Sequence, residues 1–334
     1  MSKPKIIFIS GRFRSGTSML WHLFEQLDGY CAWYEPLHPE LLAHIDSVKP
    51  KADHRGIQDY WRNYREKPAF REHYQPQFGF QYLYLPANQA WDELKAYLQH
   101  LIELSAPDVP VLQMNRVDLR LAWLSQHFPQ ATLLNISREP KALWYSSRKH
   151  LNAQSQTDES YVDAYDLMQW SASLSDDFPM LSPEPGRHGY YRHYMIYKLS
   201  RLMAESYADH QFSLERDVFE SQRLLDKLGQ ICELDESQLE PLRGLIHKPE
   251  SFESASDTAS LLDIEKDVDQ ILQDSGLSRY FPSSSPDQLK TLFPEFWRSQ
   301  RYNKDRVVEE LLSALSFQKR ELTQALANQQ EKDE

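Results

Sequence analysis

Short apolar runs and stretches of helical period take turns along the first half of the chain. Ile6–Ile9 is an apolar run closed by Ser10-Gly11, the pattern of a strand buried on both faces. Met19, Leu20, Leu23, Phe24 and Leu27 then recur on one face of a helix, with Gly29 as its stop. Cys31–Tyr34 predicts a second strand, ended by Glu35-Pro36. Further on, Leu94–Leu104 predicts a helix, Val109–Met114 a strand, Leu119–Phe128 a helix, Ala131–Ser137 a strand and Pro140–His150 a helix. Strands alternating with helices imply βαβ units, and so an α/β fold with a parallel sheet flanked by helices.

After about residue 155 the chain turns mostly helical. Tyr190–Tyr207, Arg223–Cys232 and Ser256–Gln273 predict helices, and Gln211–Arg216 a late strand. Ser283–Asp287 reads as a linker or helix start, and a last helix is expected over 303–328. Its apolar stripe (Val308, Leu311, Leu312, Leu315, Leu322, Leu326) either docks on the domain or pairs with a second copy as a homodimer. Residues 45–90 hold no clean period but many aromatics, Tyr60, Trp61, Tyr64, Phe70, Tyr74, Phe78, Phe80, Tyr82 and Tyr84 among them. Arg62, Arg65, Lys67 and Arg71 lie between the rings. This stretch reads as an irregular insertion or lid, whose rings either form a core beneath it or stack on a bound molecule.

Charge and composition remove several function classes. A net charge of -12 over 334 residues makes a poor general nucleic-acid binder, so any anion site must be a local gathering of basic groups. Two cysteines, Cys31 and Cys232, are too few for a disulfide framework or a cysteine-built metal site. No run of about 18 apolar residues predicts a membrane span, and the N-terminal MSKPKIIFIS has no signal-like segment. A soluble, cytoplasmic protein without a metal site is expected.

One local gathering stands out. The chain has 10 glycines, and Gly11 and Gly16 frame the loop GRFRSG between the first strand and the first helix. Glycine lets the backbone approach a ligand closely. A helix N-terminus offers unpaired N–H groups and a dipole that favour an anion. Arg12 and Arg14 add charge, and Ser15, Thr17 and Ser18 add hydroxyls. Aligned on the nucleoside-triphosphatase loop G-x-x-x-x-G-K-[ST], Thr17 stands where the phosphate-reaching lysine belongs, which argues against ordinary ATP or GTP chemistry.

The run RSGTSML after a strand resembles the 5′-phosphosulfate loop of sulfotransferases that use 3′-phosphoadenosine 5′-phosphosulfate, PAPS. Arg14 takes the family's basic position and Ser15-Gly16-Thr17-Ser18 the rest. A second stretch, LLNISREPKALWYSSRKH, is similar to the family's 3′-phosphate motif, an arginine at a strand end and a serine eight residues on: here Arg138 and Ser146. The usual Arg-Asp-Pro is Arg-Glu-Pro in this chain. The resemblance is carried by residues 5–40 and 109–150. It implies PAPS as cofactor, bound by Arg12, Arg14, Ser15, Gly16, Thr17, Ser18, Arg138 and Ser146. With the linker read at Ser283–Asp287, a sulfotransferase domain is expected over 1–282 carrying the insertion at about 45–90, with 283–334 as a helical extension.

Sulfuryl transfer asks a protein to align the acceptor and neutralise charge, the role expected of Arg14, and to accept a proton from the acceptor hydroxyl. Glu35 ends the second strand and should lie at the carboxyl edge of the sheet beside the loop. Tyr34-Glu35-Pro36 also resembles the carbohydrate sulfotransferases, which implies Glu35 as base and a sugar hydroxyl as acceptor. His38 is a reserve base, and His22 reads as a helix-side residue. Asn115 and Arg116 stand where the cytosolic small-molecule enzymes carry a histidine; Arg116 suits contact with sulfate or acceptor, or a surface position. Two departures leave the adenine partner open: Met19 replaces the family's frequent tryptophan, and no late Arg-Lys-Gly loop is found. Two other functions fit parts of the pattern. A kinase with an atypical loop would use Asp118 on Mg²⁺, and a non-catalytic nucleotide-binding protein would keep the fold alone.

Overall fold

A computed structural model of the chain describes residues 4–47, 56–148, 165, 167–182, 187–219, 223–246 and 258–275, with positions 316, 319, 320 and 322. Five strands, β1 (Ile7–Ser10), β2 (Tyr30–Tyr34), β3 (Val109–Met114), β4 (Thr132–Ser137) and β5 (His210–Ser213), form one sheet in the order β2-β3-β1-β4-β5. All four pairings are parallel. Central β1 is buried along its whole length, as its unbroken apolar run requires. The chain leaves β1 toward β2 on one side and later reaches β4 on the other. The carboxyl end of β1 is therefore the switch point where open α/β sheets place ligands.

The helices are α1 (Thr17–Glu25), α2 (Leu41–Ser47), α3 (Arg62–Glu66), α4 (Asp92–Leu104), α5 (Leu121–His127), α6 (Pro140–Arg148), α7 (Leu167–Leu174), α8 (Gly189–Tyr207), α9 (Arg223–Cys232), α10 (Glu236–Arg243) and α11 (Thr258–Asp274). The α/β class and the helical second half agree with the sequence pattern. Helix α8 packs against α5, α6, α7 and α11, so its buried residues run almost around it, from Tyr190 to Ala204. Tyr190 donates to Glu265 at 2.6 Å across the α8–α11 seam. The late strand is shorter than the expected 211–216. After Ser213 the backbone winds into a π-helical turn, Leu214–Phe219, and the Asp217 carboxylate accepts from the Ser213 N–H at 2.7 Å. Helix α10 was not anticipated; Asp235 and Gln238 form a capping box at its start.

The aromatic stretch is core rather than lid. Tyr60, Trp61, Tyr64, Phe70, Phe78 and Tyr84 are buried, while Phe80 and Tyr82 are exposed. It also covers an edge of the sheet. Asn63 Nδ2 donates to the Ala32 carbonyl at 2.7 Å and Tyr64 Oη to the Tyr34 carbonyl at 2.7 Å, pairing acceptors that edge strand β2 would otherwise leave open. Fully buried Arg120 donates to the carbonyls of Phe78, Gln81 and Tyr82, fixing the turn they form. The basic residues there are engaged: Arg62 with Glu25, Arg65 with Asp59, and Lys67 with the Leu104 carbonyl. No helix among the described residues is long and apolar enough to cross a membrane. The expected linker at 283–287 falls outside the described residues, as does the 303–328 helix with its proposed dimer contact, apart from the helical positions 316, 319, 320 and 322.

Candidate active site

Polar residues collect where the strands end. Ser10, Gln113, Asn135 and Ser213 are buried toward the carboxyl edge of four of the strands. A buried polar group is costly unless it is bonded, and Ser10 and Asn135 bond to each other at 3.0 Å while Gln113 bonds to Asn115 at 2.9 Å.

The loop 11–16 leaves β1 at the centre of this row and opens directly into α1. Gly16 caps the helix in the left-handed region, φ 101°. Arg14 also has a positive φ, 70°, an unfavourable conformation for a side-chain-bearing residue. Its carbonyl is held by Arg138, whose Nη1 donates to it at 3.3 Å. The Arg14 side chain runs the other way, with Nε donating to Ser146 Oγ at 3.3 Å. Arg14 thus meets two other expected site residues, 124 and 132 residues away in sequence. Arg138 ends β4 and Ser146 lies on α6, two turns from its start at Pro140.

The loop tolerates little substitution. A Cβ on Gly11 would sit 2.4 Å from the Ile136 carbonyl oxygen, and one on Gly16 would sit 2.9 Å from Leu214 Cδ1. Gly16→Ala should therefore lower stability by about 1–2 kcal/mol from the left-handed backbone alone, measurable by urea unfolding; an unchanged midpoint would mean the loop relaxes.

The remaining loop side chains divide. Ser15 Oγ is buried without a hydrogen-bond partner among the described residues, and so is Arg138 Nε. Arg12, by contrast, pairs with Asp118 at 2.9 Å and lies over the Trp170 ring at 4.7 Å. Thr17 Oγ1 donates to Asn115 Oδ1 at 2.8 Å, and Ser18 Oγ shares a hydrogen bond with Tyr34 Oη at 2.9 Å. Among the side chains assigned to the anion, Arg14, Ser15, Arg138 and Ser146 cluster, while Arg12, Thr17 and Ser18 brace the loop. Burial, reinforced by neighbouring Arg14, lowers the Arg138 guanidinium below its usual range, against the opposing pull of Glu215.

Glu35 occupies the neighbouring end of β2. It is buried and its backbone is left-handed, φ 46°. Its N–H donates to the Gln113 carbonyl at 2.9 Å, which ties the turn to β3. One carboxylate oxygen lies 3.5 Å from the Asn115 N–H and 3.8 Å from Arg116 Nη1. Burial raises the Glu35 carboxyl above its ordinary value; Arg116, the Asn115 N–H and Gln113 pull it back. His38 is pushed down to about 3, first by burial and then by Arg116. Its Nδ1 accepts the Glu40 N–H at 3.1 Å. His22 is buried on α1 with Nδ1 3.5 Å from Glu25, a helix-side residue as expected.

Sequence reasoning missed the polar relay that joins the two halves. Asn115 Oδ1 accepts from Thr17 and also from Gln113 Nε2 at 2.9 Å, and Gln113 Oε1 accepts from the Glu35 N–H at 3.3 Å. The readable signal was a glutamine inside the apolar strand VPVLQM. Asp118, the candidate Mg²⁺ ligand of the kinase alternative, is buried against Arg12. Exposed Glu72 and His73 with partly buried His100 form the described cluster of metal-type donors, outside this site.

Solved structures similar to this chain include sulfotransferase STF9 from Mycobacterium avium, with 13% identity over 91% of this chain and 78% of that one, at a TM-score of 0.42. Sulfotransferase STF1 from Mycobacterium tuberculosis H37Rv gives 12% identity over 87% and 77%, at a TM-score of 0.41. The sulfotransferase domain from the curacin biosynthetic pathway gives 13% over 90% and 99%, at a TM-score of 0.37. No curated protein sequence matches the chain. The model of the sulfotransferase family matches residues 4–183, more than half of the chain and the whole stretch from β1 through α6 that builds the site, so this protein belongs to the sulfotransferase family.

Proposed function

We propose that the protein transfers the sulfuryl group of PAPS to a hydroxyl acceptor, with Arg14 on the donor side and Glu35 as general base on the acceptor side. What supports this most is the meeting of Arg14, Arg138 and Ser146, next to a buried Ser15 hydroxyl that has no hydrogen-bond partner among the described residues. Two arginines in mutual repulsion, one of them already depressed by burial, favour a multiply charged anion. The donor set fits PAPS: loop groups around Arg14 and Ser15 for the 5′ side, Arg138 and Ser146 for the 3′-phosphate.

PAPS supplies an activated sulfate on a phosphate leaving group. The chain's own work is to bind, orient and neutralise. Arg14 and the N–H groups of residues 16–18 at the start of α1 offset the charge that develops on the donor side, the Ser15 N–H being given to the Arg12 carbonyl at 3.1 Å. Glu35 accepts the proton of the acceptor hydroxyl. Burial strengthens it as a base, and Arg116 with the Asn115 N–H keeps it ionised. His38 is a poorer base, because the lone pair of its Nδ1 is already used by the Glu40 N–H. A sugar hydroxyl is the proposed acceptor, on the likeness of Tyr34-Glu35-Pro36 to carbohydrate sulfotransferases. The rings of the insertion add little to that choice, since most are spent on the core. Two buried cysteine thiols fit a reducing compartment, consistent with a cytoplasmic setting.

Calorimetry tests the donor side. We expect 3′,5′-adenosine bisphosphate to bind in the micromolar range and ADP with Mg²⁺ not to bind. PAPS should then be turned over on some member of a panel of sugars, phenols and alcohols. Preference for ADP with Mg²⁺ would favour a kinase, and bisphosphate binding without turnover across the panel would favour a non-catalytic nucleotide-binding protein.

A further inference from the structure

The four residues that follow β3, Asn115 to Asp118, are laced to the donor loop at three points. Asn115 accepts from Thr17, Arg116 lies over the Phe13 ring at 5.0 Å, and Asp118 pairs with Arg12. The same segment faces the other way toward Glu35, through the Asn115 N–H and the Arg116 guanidinium. Arg116 is buried, with only 5% of its side chain exposed, and so is the Glu35 carboxylate it faces. Burying a guanidinium is costly unless carbonyls or an opposite charge answer it; Arg120 is answered by carbonyls, whereas Arg116 faces a carboxylate, the one on which the proposed reaction depends.

We infer that Arg116 is a positioning residue: it holds the Glu35 carboxylate ionised and fixes it in register with the donor loop through Phe13. This rests on the reading of Glu35 as base, but its electrostatic part can be measured without turnover. The other groups that face Glu35 do not supply the counter-charge. Asp118, after β3, has the same sign as Glu35. Tyr34 on β2 and Tyr64 on α3 are themselves pushed up, mainly by burial and in part by Glu35, and are neutral. Arg116 is the largest influence that draws the carboxyl down against its burial. The contact at 3.8 Å involves a single Nη1 rather than a two-pronged fork. Charge therefore matters more than guanidinium shape, and a lysine should substitute in large part.

The experiment is a ¹³C-detected titration of side-chain carboxyls, with the Glu35 signal assigned by its loss in Glu35→Gln. In Arg116→Met the Glu35 carboxyl should titrate about 1–3 pH units higher than in wild type, and Arg116→Lys should return most of that change. Binding of 3′,5′-adenosine bisphosphate reports whether each variant is folded. Arg116→Gln, which keeps hydrogen-bonding capacity, replaces Arg116→Met if the latter does not fold. An unmoved Glu35 titration in the charge-removing variant overturns the proposal. A second arm follows kcat/KM against pH with PAPS and the best acceptor of the panel. Its acid limb should rise in step with the carboxyl. A carboxyl that moves while the limb stays fixed upholds the pairing and removes Glu35 as base. A loss of rate in Arg116→Met that persists undiminished on a Glu35→Gln background, with the limb unmoved, places Arg116 on the reacting atoms and overturns its role as a positioning residue.

Discussion

Arg138→Ala should weaken binding of 3′,5′-adenosine bisphosphate by about 30- to 5,000-fold, the range of about 2–5 kcal/mol that truncation of a buried, hydrogen-bonded charge costs a complex. Arg138 is buried at the end of β4, with one nitrogen on the Arg14 carbonyl and another without a protein partner among the described residues. Its removal takes away a cation and also the donor that holds the left-handed Arg14 backbone, so the loop itself should loosen. Isothermal titration of wild type and variant measures the loss, and urea unfolding separates it from global destabilisation. The variant loses the bond to the Arg14 carbonyl and the attraction of Glu215 along with the repulsion from Arg14, so the fall in affinity should exceed any loss of stability. Retained affinity would show that the anion is bound elsewhere, and the assignment of Arg138 and Ser146 to the 3′-phosphate would fall with it.

The sheet was legible because its strands are apolar runs of limited length set between helical stretches. Val109–Met114 matches the observed β3, and the other strands shift by a few residues at their ends. The position of the loop was legible for a similar reason: glycines, arginines and hydroxyls coincide where β1 turns into α1. The insertion was opaque because tertiary burial, not periodicity, decides its structure. Phe70 and Phe78 sit in short 3-10 turns whose sequences carry little local preference. The role of Arg12 was equally hidden. Sequence places it beside the anion, but only the return of Asp118 after β3 shows that its charge is already answered. The start of α10 was legible in principle, since Asp235 and Gln238 spell a capping box without reference to the rest of the fold.

A common physical thread joins the two ends of the site. The loop 11–16 is strained at Arg14 and the turn after β2 at Glu35, both non-glycine residues in the left-handed region. Such conformations persist where neighbouring structure over-determines them. Here the neighbours are Arg138 for one and β3 with Gln113 for the other. Asn115 then bonds to both sides at once, through Thr17 and through Gln113. Rigid spacing between a charge-neutralising arginine and a proton-accepting carboxylate is what an in-line group transfer needs, because little covalent work falls to the protein.

Glu35→Gln should lower kcat by about 10²- to 10⁴-fold, the usual contribution of a positioned general base, while leaving bisphosphate affinity intact. The substitution keeps size and an acceptor oxygen for the Asn115 N–H, so the turn should keep its shape. What disappears is the ability to take a proton. The pH dependence gives a second, independent sign. Catalysis needs the ionised carboxylate, and burial raises the Glu35 carboxyl above the ordinary value of about 4.3 for glutamate. Wild-type kcat/KM should therefore fall as pH drops through that raised value, with full activity above it. Glu35→Gln should leave a small residual rate without that acid limb. A pH–rate profile of both proteins with PAPS and one fixed acceptor decides the matter. A residual rate that still follows the wild-type limb would assign the titrating group elsewhere. His38, held near 3 and already bonded at Nδ1, would give a limb far below the one expected of Glu35, so the position of the limb distinguishes the two.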